Sequence, residues 1–425
     1  MKDFILRGFN IEITELLRRV FTYKLKYLPL SNIRGEFIEL EKYISVLKSL
    51  LSKWSTRPLR ITSGLRVIDA DLELYNALWA LGPRLVPVVE SPNSIDVEVS
   101  LSELDFYYNV VGSSVRVYSN VVDLVERDIP TPIVKLKYLS DLGVNVWAKL
   151  EWYHPFSLSI KDRVAWYMLI NAIERGYVKT RKLYEATSTN TGLGLVGLAN
   201  YYNLKVRVYL PSTVQKCIDY LFTALGAEVV RKDSPITVAM VNSVLVDAAR
   251  DGAVVLNQFE NDLNFIVHLK YTAKEIDYQL RSIGITPKAI IGGLGTSGHT
   301  SAVSLYFKNR YSDVKICGVQ PAVGSTIPGI RRIETGMKWI RHVELDEVVD
   351  VKLEDAFNTV VEVARSDGLL IGLSGGAVLY ALRKLAENNV IRGNVVAIIP
   401  DHGTKYIEIL ESLVTKLCPE KPILE

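Results

Sequence analysis

The sequence predicts an α/β protein built on parallel sheets covered by helices on both faces. From Pro130-Thr131-Pro132 onward, short apolar runs alternate with amphipathic segments at the spacing of strand and helix units. Polar or glycine-rich turns fall where several of those runs give way to a helix, which is where parallel sheets carry their ligand sites. The chain has 425 residues, enough for two or three compact units each with its own core.

The region 1–125 reads differently. A helix is expected over Glu39 to Trp54, where Leu40, Ile44, Leu47, Leu51 and Trp54 recur at helical spacing. Gly82-Pro83 and Ser91-Pro92-Asn93 punctuate the rest, as in a small independent or docked unit that is a lid, a dimer contact or simple packing. Beyond it, strands are expected at Val144 to Leu150, Lys182 to Ala186, Val206 to Leu210, Ala253 to Leu256, Ala289 to Ile291, Val314 to Val319 and Val395 to Ile399. Helices are expected at Asp162 to Arg175, Gly192 to Tyr202, Val214 to Leu225, Phe265 to Ile283 and Val378 to Asn388.

Charge is balanced, with 50 Lys and Arg against 47 Asp and Glu, and the net +3 is spread along the chain. That pattern gives neither a nucleic-acid stripe nor a polybasic membrane anchor, so the expected partners are small molecules and other copies of the chain. Cys217, Cys317 and Cys418 lie far apart, as reduced thiols of a cytoplasmic protein would. No apolar stretch reaches the roughly 18 residues of a membrane span. His154, His268, His299, His342 and His402 form no helical pair around a carboxylate, so no metal is expected.

Chemistry concentrates in four segments. Lys161, in Pro155-Phe156-Ser157-Leu158-Ser159-Ile160-Lys161-Asp162-Arg163, stands just before a helix, where lowered basicity would let it form an imine with an aldehyde cofactor. A polar turn, Thr187-Ser188-Thr189-Asn190-Thr191-Gly192, follows one helix and one strand later. Gly292-Gly293-Leu294-Gly295-Thr296-Ser297-Gly298-His299-Thr300 follows an apolar strand and opens a helix, an arrangement that cradles phosphate on backbone N–H groups. Gly293, Gly295 and Gly298 also satisfy the dinucleotide fingerprint, but the next strand ends in Gln320-Pro321 where that fingerprint needs a carboxylate. Gly372-Leu373-Ser374-Gly375-Gly376-Ala377 reads as a small-residue turn before a helix, with a hydroxyl able to meet a heterocycle nitrogen.

In these segments the chain resembles the fold-type II pyridoxal 5′-phosphate enzymes of the cysteine synthase family, and is most similar to the archaeal O-phosphoserine sulfhydrylases. The likeness runs through Lys149 to Arg163, Asn257-Gln258-Phe259, the Gly295 to His299 loop, Ile327 to Gly336 and Ala364 to Gly368. It implies two parallel-sheet αβα domains of the tryptophan synthase β-like type over 126–425, with about 155–270 as the smaller mobile domain, and a homodimer.

The resemblance also implies roles. Lys161 would bind pyridoxal 5′-phosphate as an imine and later take the substrate Cα proton. Asn190 would bond the ring hydroxyl, Gly295, Thr296, Ser297, Gly298 and His299 would hold the cofactor phosphate, and Ser374 would meet the ring nitrogen. Thr187, Ser188 and Thr191 would grip the substrate carboxylate, with Gln258 and Phe259 beside them. Arg331, ahead of its neighbour Arg332, would bind the phosphate of O-phospho-L-serine through paired hydrogen bonds. The implied reaction joins O-phosphoserine and sulfide into L-cysteine and phosphate. Thr187 to Thr191 is nearer the O-acetylserine enzymes, which keeps O-acetylserine sulfhydrylase and cystathionine β-synthase-type activity open, beside a cofactor-bearing sensor without turnover.

Overall fold

Apolar runs become the inner strands of two parallel sheets, and charged or half-exposed segments become the edges. The computed structural model describes residues 118–126 and 128–417, together with four strands ahead of them. Those four, β1 (Leu59–Ser63), β2 (Arg66–Ala70), β3 (Arg84–Glu90) and β4 (Ile95–Ser100), form a sheet of order β2-β1-β4-β3. The helix expected over Glu39 to Trp54 and the thiol of Cys418 lie outside the described residues.

After the short helix α1 (Asp123–Glu126), β5 (Ile133–Lys135) and β6 (Val144–Leu150) enter the larger sheet, and α2 (Lys161–Glu174) leads to the smaller one. The smaller sheet comprises β7 (Lys182–Ala186), β8 (Lys205–Pro211), β9 (Glu228–Lys232) and β10 (Val254–Val255), with α3 (Asn190–Tyr201), α4 (Cys217–Ala224) and α5 (Val241–Asp251) between its strands. Its order is β10-β7-β8-β9, parallel throughout. The chain returns through α6 (Leu263–Val267), a π-helical turn (His268–Thr272) and α7 (Ala273–Ser282). It completes the larger sheet with β11 (Ala289–Gly293), α8 (Gly298–Arg310), β12 (Lys315–Pro321), β13 (Glu347–Val351), α9 (Leu353–Asp367), α10 (Leu373–Glu387) and β14 (Gly393–Ile399), before α11 (Ile407–Leu417). The six-stranded order is β13-β12-β11-β14-β6-β5, parallel except for the β5–β6 pair.

Burial explains the order. Val395 to Ile399 and Ala289 to Ile291 are at most 1% exposed, because β14 and β11 are covered on both faces. β13 alternates half-buried with exposed residues and sits at an edge. One face of α9 packs Ala356, Phe357, Val360 and Val363 onto the core. Helix α3 lies directly on the segment around Lys161, since a Cβ on Gly194 would come within 2.7 Å of Asp162 Oδ1 and one on Gly197 within 2.7 Å of Phe156.

Two expectations are corrected. Gly372 to Ala377 is not a turn before a helix: α10 begins at Leu373, because Leu373 to Ala377 pack inside the core and the helix is the conformation that satisfies their buried backbone. The span expected as one helix from Phe265 to Ile283 starts at Leu263, widens into the π turn and ends at Ser282.

Beneath α2 lies a buried ion network. Arg163 bonds Glu275 at 2.6 Å and Glu151 at 2.7 Å, and Lys149 Nζ bonds Glu275 at 2.8 Å, all with side chains at most 2% exposed. Thr131 donates to Glu151, and Lys149 also reaches the Thr131 carbonyl and Gln279. Burial by itself raises the Glu275 carboxyl, but the Arg163 and Lys149 charges outweigh it and hold it at about 2. Truncating one member leaves a buried charge without its partner, so Glu275→Ala is expected to cost about 3–5 kcal/mol in urea denaturation. Because the folded carboxyl titrates below its unfolded value, its contribution is present above about pH 4.5 and is lost as pH falls toward 2. The stability curve of Glu275→Gln should be flatter than wild type across that window.

Candidate active site

A cavity of about 210 Å³ opens between the two sheets, at the carboxyl ends of their strands. Lys161, Ser188, Asn190, Thr191, Gln258, Phe259, Gly295, Thr296, His299, Arg331 and Ser374 all line it. Residues far apart in sequence therefore meet around one space. Thr187, Ser297 and Gly298 do not line it and stand behind those that do.

Lys161 is the first residue of α2, and the loop before it is held from several sides. The Asp162 carboxylate accepts from the backbone of Phe156 at 2.7 Å and of Ser157 at 2.9 Å, Ser159 Oγ accepts from Lys161 N at 3.1 Å, and Ile160 N donates to the Pro400 carbonyl at 2.9 Å. Burial brings the Lys161 amine down to about 8, against the opposing pull of Asp401 and Glu151. A substantial neutral fraction is thus present near physiological pH, as a nucleophilic amine needs.

The glycine loop runs from β11 into α8. A Cβ on Gly295 would lie 2.6 Å from the Gly329 carbonyl oxygen, and one on Gly298 would strike Asn264 Oδ1, so both places admit only glycine. Ser297 takes φ 73° at the helix N-cap. Thr296 Oγ accepts from Asn264 at 3.0 Å. Ser297 Oγ and Asn264 Oδ1 are buried without a hydrogen-bond partner. An unpaired hydroxyl at the start of a 13-residue helix, with backbone N–H groups unshielded by side chains, fits an anion such as a cofactor phosphate. His299 is kept near 3 by burial and by the charge of Lys161, so it is neutral.

On the opposite wall, Thr191 Oγ donates to Gln258 at 2.6 Å, and Gln258 Nε2 donates to the Ala186 carbonyl at 3.0 Å. Thr187 Oγ accepts from Gly192 N at 3.0 Å, which shapes the turn from outside the cavity. Ser374, in the first turn of α10, is 2% exposed and lies under the segment carrying Gly329.

Arg331 and its neighbour part company. Arg332 pairs with Asp350 at 2.8 Å and Glu334 at 2.9 Å, away from the cavity. Arg331 donates from Nε to the Gly295 carbonyl at 2.8 Å and from Nη1 to Thr335, and stands 5.4 Å over the Phe259 ring. Burial lowers it to about 10, with only Glu260 pulling the other way, so the guanidinium is charged at neutral pH without a carboxylate bonded to it.

Several site residues escaped the sequence reading. Asp401 and Lys405 bond Asn190, Tyr406 donates to Asp401, Glu185 accepts the backbone N–H groups of Asn257 and Gln258, and Asn264 supports the glycine loop. The one available signal was position: Asp401 follows directly after an apolar run ending in Pro400, at the carboxyl end of a strand. Among the described residues, no group of three or more His, Cys, Asp or Glu side chains is placed to hold a metal ion, and no helix is long and apolar enough to cross a membrane.

A lysine poised for covalent attachment beside an anion cradle, between two parallel sheets, marks a pyridoxal-phosphate site, and the chain matches the family described as "Pyridoxal-phosphate dependent enzyme" over residues 126–401. The protein belongs to that family, within its cysteine synthase group, and its cofactor is pyridoxal 5′-phosphate. It is 36% identical over 283 residues to cysteine synthase B of Escherichia coli, covering 65% of this chain and 91% of the relative. It is 30% identical to an O-acetylserine dependent cystathionine β-synthase of Bacillus subtilis, covering 68% and 96%. The crystal structure of Entamoeba histolytica cysteine synthase superposes with a TM-score of 0.60 at 26% identity, covering 73% of this chain and 98% of the other.

The depressed basicity of Lys161 has a measurable result. In cofactor-free protein, the rate of covalent attachment of pyridoxal phosphate should rise with pH through about 8, as the neutral amine becomes the major form. Borohydride reduction followed by peptide mass spectrometry should find the label on Lys161 and nowhere else. Lys161→Ala should carry none.

Proposed function

We propose that the protein makes L-cysteine by β-replacement, exchanging the phosphate of O-phospho-L-serine for sulfide, and that it does so as a homodimer. Bound pyridoxal phosphate withdraws electrons from Cα of an attached amino acid, acidifying the Cα proton and easing loss of a group from Cβ. Lys161 attaches the cofactor, and its Nζ, whose basicity burial brings down to about 8, then takes the Cα proton. Asn190 meets the ring hydroxyl, and Gly295, Thr296 and His299 hold the cofactor phosphate with Ser297 and Gly298 shaping the helix start. Ser374 offers the ring nitrogen a neutral hydroxyl, which moderates electron withdrawal and favours quick loss of a leaving group over a long-lived carbanion.

Ser188 and Thr191, at the N-terminus of α3, receive the substrate carboxylate, with Gln258 bracing Thr191 and Thr187 bracing the turn. Phe259 and Ile327 to Ile330 give the cavity an apolar wall that excludes water once the smaller domain, about 155–270, closes. Sulfide is already a strong nucleophile and requires no further base.

One observation supports phosphate as the leaving group. Arg331 faces the cavity charged, without a bonded carboxylate, while Arg332 is already neutralised by Asp350 and Glu334. Among the described residues Nη2 of Arg331 has no hydrogen-bond acceptor, so a donor is available to a phosphate dianion. The name of the Bacillus subtilis relative, an O-acetylserine dependent cystathionine β-synthase, supports O-acetylserine as the second reading.

A substrate panel with sulfide decides between them. Arg331→Ala should lower kcat/KM for O-phosphoserine by about 100-fold, near 3 kcal/mol, while O-acetylserine turnover stays within about threefold. Equal losses on both substrates would refute the assignment of Arg331. Wild-type preference for O-acetylserine would establish the second reading.

A further inference from the structure

Lys405 joins three parts of the site that the sequence keeps far apart. Its Nζ donates to the Ser157 carbonyl at 2.6 Å, to the Leu158 carbonyl at 3.3 Å and to Asn190 Oδ1. Three acceptors around one nitrogen use all three protons of an ammonium, so the geometry is that of the charged form. The side chain is 7% exposed, and burial lowers its basicity, opposed by Asp401, whose Oδ2 is 3.7 Å away, and by Asp162. Asp401 Oδ2 in turn accepts from Asn190 Nδ2 at 2.8 Å and from the Tyr406 hydroxyl.

The two ends of the Asn190 amide therefore have unequal partners. An ammonium only donates and a carboxylate only accepts, so the amide cannot turn over without setting its NH₂ against Lys405 and its oxygen against Asp401. With one N–H committed to Asp401, the other lies on the side of the cavity that Asn190 and Tyr406 both line, where the Tyr406 hydroxyl is also within its reach. The pull of the ammonium on the carbonyl oxygen also polarises the amide and strengthens that donor.

We propose that Lys405 and Asp401 are positioning residues for the cofactor: together they lock the Asn190 amide so that it presents an N–H to the cavity. Through Ser157 and Leu158, Lys405 at the same time sets the stretch that leads into Lys161. The helix start that carries Asn190 and the loop that leads into Lys161 are thereby registered on a common buried charge from the short turn Gly403–Tyr406 that follows β14. This extends the reading of Asn190 as the partner of the ring hydroxyl and is independent of which group leaves Cβ.

The test uses the cofactor-loaded full chain and two readouts besides turnover. One is the dissociation constant for pyridoxal phosphate. The other is the ratio of the two absorbance bands that distinguish a proton on the Lys161 linkage from one on the ring oxygen. Lys405→Met should weaken cofactor binding about tenfold and move the band ratio toward the ring-hydroxyl form, while Lys405→Arg restores most of both. In an Asn190→Ala background, Lys405→Met should add less than about twofold, because the lock has nothing left to hold. A folded Lys405→Met with wild-type affinity and band ratio would overturn the proposal, and so would a full effect persisting without Asn190. If Lys405→Met does not fold, Lys405→Gln, which keeps a donor but no charge, is judged by the same two criteria. Failure of the wild-type protein to bind the cofactor at Lys161 would instead undo the reading of the site itself.

Discussion

The site depends on the buried pairing of Arg163 with Glu151 and Glu275. Arg163 lies two residues beyond Lys161, so the network that fixes the first turn of α2 also fixes Lys161. Each partner comes from a different element: Glu151 follows β6, Lys149 lies within it, and Glu275 belongs to α7. Two cations and two anions balance, and Thr131 and Gln279 take up remaining donors and acceptors. A dry apolar cluster of the same volume would often stabilise as well. What the charges add is direction, since bidentate geometry admits one placement of the helix.

Over that foundation the cavity separates two kinds of polarity. Lys161 sits where burial discourages charge, whereas the glycine loop and Arg331 bring backbone N–H groups and a guanidinium to the same space. The two donor regions are tied together, because Arg331 Nε is held by the Gly295 carbonyl. Movement of the glycine loop would therefore be felt by the guanidinium across the cavity.

Interior features of the fold were legible from the sequence and its margins were not. Val395 to Ile399 and Ala289 to Ile291 read correctly because continuous apolar runs are what strands buried on both faces require. β9, with Glu228, Arg231 and Lys232 among its five residues, and β13, with Glu347 and Asp350 among its five, are edge strands whose composition imitates loops. In the site, Lys161 and the glycine loop carry local signatures. Asn190 and Asp401 are 211 residues apart, and Asn190 and Lys405 are 215, so neither pairing leaves a local trace. Ser374 was found, yet its helix start was misplaced, because Gly375 and Gly376 look like turn residues until core packing is known.

The π turn at His268–Thr272 has a consequence for how this chain tolerates change. Upstream of it, Asn264 faces the glycine loop, and downstream Glu275 faces Arg163. A widened turn resets the phase between those two faces, since each residue of an α-helix advances by roughly 100°. Deleting one residue there would restore regular winding and leave the two faces as they are, whereas deleting one from the α-helical stretch on either side would rotate everything beyond it by roughly 100°. The π turn is therefore the one place between the two sites where a residue can be lost without parting Asn264 from the glycine loop or Glu275 from Arg163.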